Sequence, residues 1–347
     1  MLHPVLRRVG RARDLDAGGG AVMLIAAMRS VPAPSTRLAL GLLVLANAGA
    51  WIWAALAFGS VPGLLGMALL AWVFGLRHAI DADHVAAIDN AVRRLAAAQR
   101  PARFAGLHFS LGHSTIVILL ALAVTLGAGV VPDDLGWLGA AGGIVGTIVS
   151  VVFLVLIAGA NIAGLLAARR GTGEAAPTGP MSRLLQPAFR IVRRSRDMYL
   201  IGLLFGLGFD TATEIGLLAL SAAGRAHGLA LWQILAFPAL FTAGMSVIDT
   251  ADSALMTRAY GWAVRDGRRR RRYNLLLTAV SAAVALLVAL IECVGLARRP
   301  ATGLISHVFA ALAAHWSMLG GAIAVLLLLL WLAGWRGAPA PVPGGDS

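Results

Sequence analysis

Long apolar stretches alternate with short polar segments along most of the chain. A helix needs about 20 mainly apolar residues to cross the hydrocarbon core of a bilayer. Stretches of roughly this length lie at residues 38–58, 63–90, 107–128, 138–166, 199–222, 230–257, 274–296 and 308–334. The pattern predicts an all-α, polytopic membrane protein with eight transmembrane helices.

The distribution of arginine predicts the orientation of these spans, because cytoplasmic loops carry an excess of basic residues. Arginines are concentrated before the first span, between spans two and three, between spans four and five, and after span six. These groups are Arg29 and Arg37; Arg93, Arg94, Arg100 and Arg103; seven arginines between residues 169 and 196; and Arg265 with residues 268–272. Both termini are therefore predicted to be cytoplasmic, and only Arg298 and Arg299 oppose this orientation.

The same pattern divides the chain into three parts. Residues 1–37 form a polar cytoplasmic arm, residues 38–335 a transmembrane permease domain, and residues 336–347 a short cytoplasmic tail. A segment rich in Gly, Pro and Ala at 171–180 lies within a predicted cytoplasmic loop at 168–198. This loop is expected to join two groups of four helices.

Composition excludes several classes of protein. Hydrophobic residues make up 59% of the chain, against about 45–50% in soluble domains, so the lipid bilayer is the expected surroundings. The net charge of +13 does not predict nucleic-acid binding, because the arginines lie between apolar stretches. The chain has no lysine, which excludes the P-loop lysine of a transport ATPase. Cys293 is the only cysteine, which excludes an internal disulfide and a thiolate metal cage.

Half of the sixteen acidic residues fall inside predicted spans. They are Asp81, Asp83, Asp89, Asp210, Glu214, Asp249, Asp252 and Glu292. Each would cost several kcal/mol in the membrane if unpaired, and Arg77 is the only basic residue well within a span. A bound cation or protons would balance the charge. The alternative, an internal salt-bridge network around Arg77, has too little positive charge to neutralise the whole set.

Span two contains three candidate metal ligands with helical spacing. On a regular helix, His78, Asp81 and His84 lie about 60° apart in succession on one face. Asp83 points nearly the opposite way. It either contacts a neighbouring helix or joins the site directly where the helix is locally unwound.

Three further spans supply ligands of the same kinds. They are His113 in span three, Asp210 and Glu214 one turn apart in span five, and Asp249 and Asp252 in span six. The predicted topology brings all of them between the midplane and the cytoplasmic surface. Imidazole with carboxylate favours Co²⁺, Ni²⁺, Cu²⁺ or Zn²⁺ over Mg²⁺ and Ca²⁺, and the residues alone do not choose among these four ions.

The run Arg77-His78-Ala79-Ile80-Asp81-Ala82-Asp83-His84 resembles the helix-two signature of the nickel/cobalt transporters (NiCoT), which is a His, four residues and Asp-His. Residues 108–115, 207–214 and 244–252 are similar to the motifs of helices three, five and six in that family. The resemblance extends over roughly residues 38–335.

The resemblance implies a secondary permease, not an enzyme, that takes up Ni²⁺ and/or Co²⁺ across the plasma (inner) membrane. The metal is the transported substrate, and no cofactor is implied. His78, Asp83 and His84 would hold the ion. The residues that would complete or support the site are Asp81, His113, Asp210, Glu214, Asp249 and Asp252.

Two other functions use similar ligands. A metal efflux permease would share the site, but the loop at 168–198 contains no histidine, whereas a His-rich cytoplasmic loop would favour export. An intramembrane metal-dependent hydrolase would also need His and carboxylate ligands. No HExxH motif is present, and the acids are spread over several spans, as a permeation path requires.

Overall fold

A computed structural model of the protein describes residues 36–59, 61–126, 132–170, 192–208, 212–264, 268–297, 311–312 and 315–336. The helices are α1 (Thr36–Phe58), α2 (Pro62–His78), α3 (Ala82–Ala97), α4 (Ala105–Leu126), α5 (Pro132–Arg170), α6 (Met198–Phe205), α7 (Ala212–Ala226), α8 (Leu231–Ile234), α9 (Ala236–Val264), α10 (Arg268–Leu296) and α11 (Trp316–Arg336). A 3₁₀ turn, Ser195–Asp197, precedes α6. These ranges contain no strand, so the all-α prediction is confirmed.

The chain divides into two compact units, residues 1–42 and residues 43–347. Of the first unit, the structure describes only residues 36–42, which form the first turns of α1. All contacts described below lie within the second unit. The predicted linker at 171–180 and the histidines at positions 3 and 307 lie outside the described residues.

Five segments of the described helices are long and apolar enough to cross a membrane. They are Leu40–Phe58, Ala105–Leu126, Gly143–Leu166, Leu231–Arg258 and Leu275–Leu296. A sixth forms if Gly63–His78 and Ala82–Ala97, which are bent by 53° at a short break, make one span. Trp316–Leu330 is a shorter apolar helix. The fold is therefore that of a multi-pass membrane protein.

The outward-facing side chains agree with a lipid environment. Leu45, Leu56 and Leu126 are 67%, 77% and 68% exposed, respectively. Large apolar side chains at such exposure, repeated along helices of this length, are typical of surfaces that contact lipid rather than water.

Two predicted spans are interrupted instead of being continuous helices. Within the span predicted at 63–90, α2 ends at His78 and α3 begins at Ala82. Within the span predicted at 199–222, α6 ends at Phe205 and α7 begins at Ala212. The regular helix expected across residues 78–84 is therefore absent.

The first break is built from local backbone bonds and an extended residue. The amide of Ile80 donates to the carbonyl of Arg77 at 3.0 Å, and that of Asp81 to the carbonyl of His78 at 2.9 Å. These bonds span three residues and tighten the last turn of α2. Asp81 then adopts an extended conformation with φ −63° and ψ 147°. Aspartate is a poor helix-interior residue and a good helix-start residue.

Helices α3 and α9 form the centre of the second unit. Helix α9 packs against α2, α3, α4 and α10, and α3 also packs against α5 and α11. One apolar cluster surrounds α3, with Ile88 and Leu95 fully buried, and another lies between α2 and α9, around Phe237 and Phe241. Ala82 belongs to the first cluster and Ala79 to the second. The helix break therefore lies where the two clusters meet.

Candidate metal centre

Three buried histidines meet at the break between α2 and α3. His78 is the last residue of α2, His84 lies in the first turn of α3, and His113 comes from the middle of α4. The ring centroids lie 4.5 Å apart for His78 and His84, 4.8 Å for His78 and His113, and 5.0 Å for His84 and His113. One ring nitrogen from each histidine lies within 4.8 Å of the other two. None of the three residues is more than 2% exposed.

Glu214, in the first turn of α7, brings a carboxylate to this cluster. Its Oε1 lies 3.0 Å from Nε2 of His113 and 3.7 Å from Nε2 of His78. The two Nε2 atoms are themselves 3.0 Å apart. Glu214 is 1% exposed, so a buried carboxylate oxygen and two ring nitrogens converge on one small volume.

Asp249 of α9 lies on the other side of the cluster. Its Oδ2 lies 3.8 Å from Nδ1 of His84 and accepts a hydrogen bond from Oγ of Ser110 at 2.6 Å. The backbones of α4 and α9 touch near this point: a Cβ at Gly106 would overlap the carbonyl oxygen of Asp249. Because Gly106, Ser110 and His113 share one face of α4, this close approach brings Ser110 and His113 towards α9.

Asp81 and Asp83 lie beside the cluster and contact the last helix. Oδ2 of Asp81 is 3.1 Å from Nδ1 of His78, and Oδ1 accepts a hydrogen bond from the hydroxyl of Ser317. Oδ1 of Asp83 accepts a hydrogen bond from Nε1 of Trp316 at 3.2 Å. Asp83, in the first turn of α3, is thus hydrogen-bonded to α11.

The remaining predicted ligands are not part of the histidine cluster as described. Asp252 lies one turn after Asp249 on α9, is half-buried, and interacts electrostatically with Asp249 and Asp89. Asp210 lies outside the described residues. The structure therefore brings His78, His84, His113 and Glu214 together, with Asp249 and Asp81 at their edge.

Arg77 does not neutralise this group. Its side chain is exposed, and it forms no ion pair with any carboxylate in the described segments. The salt-bridge network around Arg77, considered above as an alternative, is therefore absent from the described part of the fold.

Several buried polar atoms of the cluster lack hydrogen-bond partners. Among the residues that the structure describes, neither ring nitrogen of His84 has one, nor has Nδ1 of His113 or Oδ1 of Asp249. An unsatisfied buried polar group costs about 1–3 kcal/mol. A cation bound among the rings would use the lone pairs of His84 and offset the charge of the carboxylates. The ring nitrogens and the carboxylate oxygen that lack hydrogen-bond partners are therefore suited to bind a metal ion.

A second polar network lies further along α3. Nδ2 of Asn161 donates to Oδ1 of Asn90 at 2.9 Å. The guanidinium of Arg93 donates to Oγ1 of Thr278 at 3.0 Å and to Oγ of Ser281 at 2.5 Å. Arg93 is 4% exposed and lies within α3, so it is not part of the connection between spans two and three, where the sequence predicted it. Helix α3 continues beyond the predicted end of the span at residue 90, because α5 and α10 supply partners for its polar side chains.

Sequence reasoning missed the hydroxyl and indole groups that support the cluster. Besides Ser110, Ser317 and Trp316, Oγ1 of Thr213 lies 3.3 Å from Nδ1 of His78. Ser110 and Thr213 lie within motifs already recognised, so their position was a usable signal. Ser317 and Trp316 start the last helix and have no spacing relation to the other residues, so no pattern in the sequence indicated them.

Comparison with known proteins agrees with this donor set. Residues 64–336 match the NicO family, described as high-affinity nickel-transport protein. The chain is 42% identical over 343 residues to the hydrogenase nickel incorporation protein HupN of Bradyrhizobium diazoefficiens, covering 94% of this chain and 86% of the relative. No solved structure matches the chain.

Two more relatives differ in the metal that their names give. A high-affinity nickel transport protein of Cupriavidus necator is 44% identical over 286 residues, which is 78% of this chain and 82% of the relative. The cobalt transport protein NhlF of Rhodococcus rhodochrous is 40% identical over 287 residues, which is 78% of this chain and 81% of the relative. Since the family match covers most of the chain and these relatives align over most of their length, the chain belongs to the NicO family of nickel transporters, which are permeases and not enzymes.

Proposed function

We propose that this protein is a secondary transporter that takes up Ni²⁺ and/or Co²⁺ across the plasma membrane. The observation that carries the proposal is the buried convergence of His78, His84 and His113 with Glu214 at a helix break. Imidazole and carboxylate ligands favour late first-row divalent ions over Mg²⁺ and Ca²⁺. The names of the relatives narrow the choice to nickel and cobalt.

The ion would be held by Nε2 of His78 and of His113, a ring nitrogen of His84, and Oε1 of Glu214. Neighbouring ligands on a square-planar or octahedral ion with bonds of about 2.1 Å lie about 3 Å apart. The separations of 3.0 Å from His113 to His78 and to Glu214 are close to this value. The carboxylates of Glu214 and Asp249 would balance the two positive charges of the ion.

The other predicted residues take supporting roles in this proposal. Asp81 orients His78, and Asp83 anchors the start of α3 to α11. Asp252 lies beyond Asp249 along α9 and would receive the ion after it leaves the histidines. Asp210 precedes α7 and would assist Glu214.

The membrane arrangement that we propose has eight spans with both termini in the cytoplasm. The bent pair α2–α3, the interrupted pair α6–α7 and the apolar helix at Trp316–Leu330 supply three spans in addition to the five long apolar helices. The arginine-rich segments support the orientation. Residues 1–37 would form the cytoplasmic arm, residues 38–335 the permease domain with its loop at 168–198, and residues 336–347 the tail.

Transport would proceed by rearrangement of the interrupted helices. His78 and His84 stand on the two sides of one break, and Glu214 follows another. Discontinuous helices near a midplane site are a recurring feature of secondary transporters. Movement of α3 relative to α2, or of α7 relative to α6, would separate ligands that must act together. The ion would enter from outside, bind among the histidines, and leave to the cytoplasm once they part.

The test is accumulation of radioactive Ni²⁺ and Co²⁺ in cells that express the protein, with excess Mg²⁺ and competing Zn²⁺. The variant His78→Ala should lose accumulation. The matched control is His227→Ala, because His227 is exposed on the turn after α7, and it should transport as the wild type does. Retained uptake by His78→Ala would overturn the site. Accumulation below that of cells without the protein would indicate efflux.

A further inference from the structure

The first turn of the last helix packs directly on the break between α2 and α3. A Cβ at Gly320 would overlap the carbonyl oxygen of Ile80, so the two backbones are in contact there. Trp316 and Ser317 lie one turn earlier on α11. This contact brings both of their side chains within reach of the two aspartates of the break.

Each side chain donates to a different aspartate. The hydroxyl of Ser317 donates to Oδ1 of Asp81, and Nε1 of Trp316 donates to Oδ1 of Asp83 at 3.2 Å. The other oxygen of Asp81, Oδ2, lies 3.1 Å from Nδ1 of His78. Asp81 is 3% exposed, so its carboxylate is held between a hydroxyl on one side and an imidazole on the other.

The contact with Asp81 suits His78 to bind a metal ion through Nε2. With an ion at Nε2, Nδ1 carries the hydrogen of the neutral ring and donates it to the carboxylate of Asp81. Nε2 faces His113 and Glu214. A carboxylate that fixes the tautomer of a histidine in this way also makes the imidazole a better metal ligand.

From this chain of contacts we propose that Ser317 is a positioning residue of the metal site. It acts through Asp81, which it holds in the rotamer that keeps the lone pair of His78 directed at the ion. Trp316 supports the same break through Asp83. The inference rests on the proposed function and adds a residue from the last helix to the site.

The experiment measures the dissociation constant of Ni²⁺ from purified full-length protein by equilibrium dialysis, together with the KM and maximal rate of uptake in cells. Removal of a group that orients a metal ligand costs about 10–100-fold in affinity. Ser317→Ala should therefore weaken binding and raise KM, whereas Ser317→Thr, which keeps the hydroxyl, should remain near the wild type.

The control is Ser221→Ala. Ser221 is also a helix serine, but it is fully buried and its hydroxyl donates to the backbone of its own helix, to the carbonyl of Leu217 at 3.1 Å. Its replacement should leave affinity and KM unchanged. If Ser221→Ala and Ser317→Ala weaken Ni²⁺ binding equally, the loss of any helix serine hydroxyl destabilises the protein. That result would overturn the positioning role of Ser317.

A double-mutant cycle tests whether Ser317 acts through Asp81. In an Asp81→Asn background, Ser317→Ala should cause little further loss, because the residue through which it acts is already altered. If the fold-loss of Ni²⁺ affinity in the double variant equals the product of the losses in the two single variants, the inference is overturned. If Ser317→Ala does not accumulate in the membrane, Trp316→Phe supplies a second variant, expected to raise KM at normal abundance; an unchanged KM would contradict the role of this turn.

The outcomes separate this inference from the proposed function. Wild-type protein that neither binds nor accumulates Ni²⁺ or Co²⁺ would overturn both. If the wild-type protein binds and accumulates the ion, and Ser317→Ala has a dissociation constant and a KM within twofold of the wild-type values, only the role of Ser317 is overturned.

Discussion

Nε2 of His78 lies 3.0 Å from Nε2 of His113, across the interface between α2 and α4. Nε2 of His113 is also 3.0 Å from Oε1 of Glu214. Two ring nitrogens and one carboxylate oxygen are thus spaced as neighbouring ligands around one ion would be. All three groups can supply a lone pair to a divalent cation.

The charge of Glu214 is expected to contribute directly to metal affinity. Glu214→Gln keeps the size of the side chain but replaces a charged ligand oxygen with a neutral one. Affinity for Ni²⁺ should fall at least about 10–100-fold, the loss found when groups around a metal are altered. Equilibrium dialysis of the purified protein measures it. Glu292→Gln is the control, because Glu292 accepts hydrogen bonds from Ser150, which lies outside the histidine cluster. A similar loss in both variants would contradict a specific role for Glu214.

His84 is expected to lower the free energy of unfolding of the metal-free protein. Neither of its ring nitrogens has a hydrogen-bond partner in the described structure, and it is fully buried. His84→Leu removes these groups and should raise the free energy of unfolding by about 1–3 kcal/mol without metal. The variant should also lose the stabilisation that Ni²⁺ gives the wild type, about 2.7 kcal/mol at a hundred times the Kd.

Thermal unfolding in detergent, with and without Ni²⁺, measures both effects of this substitution. His227→Leu, on an exposed turn, serves as the comparison and should respond to Ni²⁺ as the wild type does. A His84→Leu protein that is still stabilised by Ni²⁺ would show that His84 is not a ligand.

The contact between α4 and α9 is expected to tolerate no side chain at position 106. Gly106→Ala places a Cβ on the carbonyl oxygen of Asp249, and such overpacking costs about 1–3 kcal/mol. The amount of folded protein in the membrane should fall, as measured by size-exclusion chromatography after solubilisation. Gly63→Ala has open space around its Cβ and should accumulate normally. If the two variants accumulate equally, the close packing of α4 on α9 is incorrect.

The orientation in the membrane can be tested with single cysteines. Cys293 is the only cysteine of the chain, so a Cys293→Ser background is free of thiols. A membrane-impermeant maleimide should label His227→Cys in intact cells, because this turn is expected outside. It should label Ala98→Cys, in an exposed turn after α3, only after the cells are opened. The reverse pattern would invert the proposed topology.

The residues that form the histidine cluster could be predicted from sequence because imidazole and carboxylate side chains are unfavourable in lipid. His78, His84, His113 and Glu214 stand out in apolar surroundings, and helical spacing and the order of spans bring them towards one place. The helix break could not be predicted in the same way. Ala79 and Ile80 carry no breaker signal such as Gly or Pro, and the hydrophobic pattern continues through them.

The break depends on partners far along the chain. The carboxylate of Asp81 is bound by Ser317, 236 residues later, and no local pattern encodes such a contact. The same distance hides the partner of Asp83 from any local pattern. Its Oδ1 accepts a hydrogen bond from Nε1 of Trp316 of α11, which agrees with the predicted contact to a neighbouring helix.

This separation has a consequence for how the protein is made. Asp81, which lies between His78 and His84, leaves the ribosome 236 residues before Ser317, which at about 5–20 residues per second is on the order of tens of seconds. For most of that interval the nascent chain already contains His78, His84 and His113 but lacks α11 and the contact of Ser317 with Asp81. High-affinity metal capture would therefore begin only when synthesis of the last helix is complete, so a truncated chain would not sequester the ion.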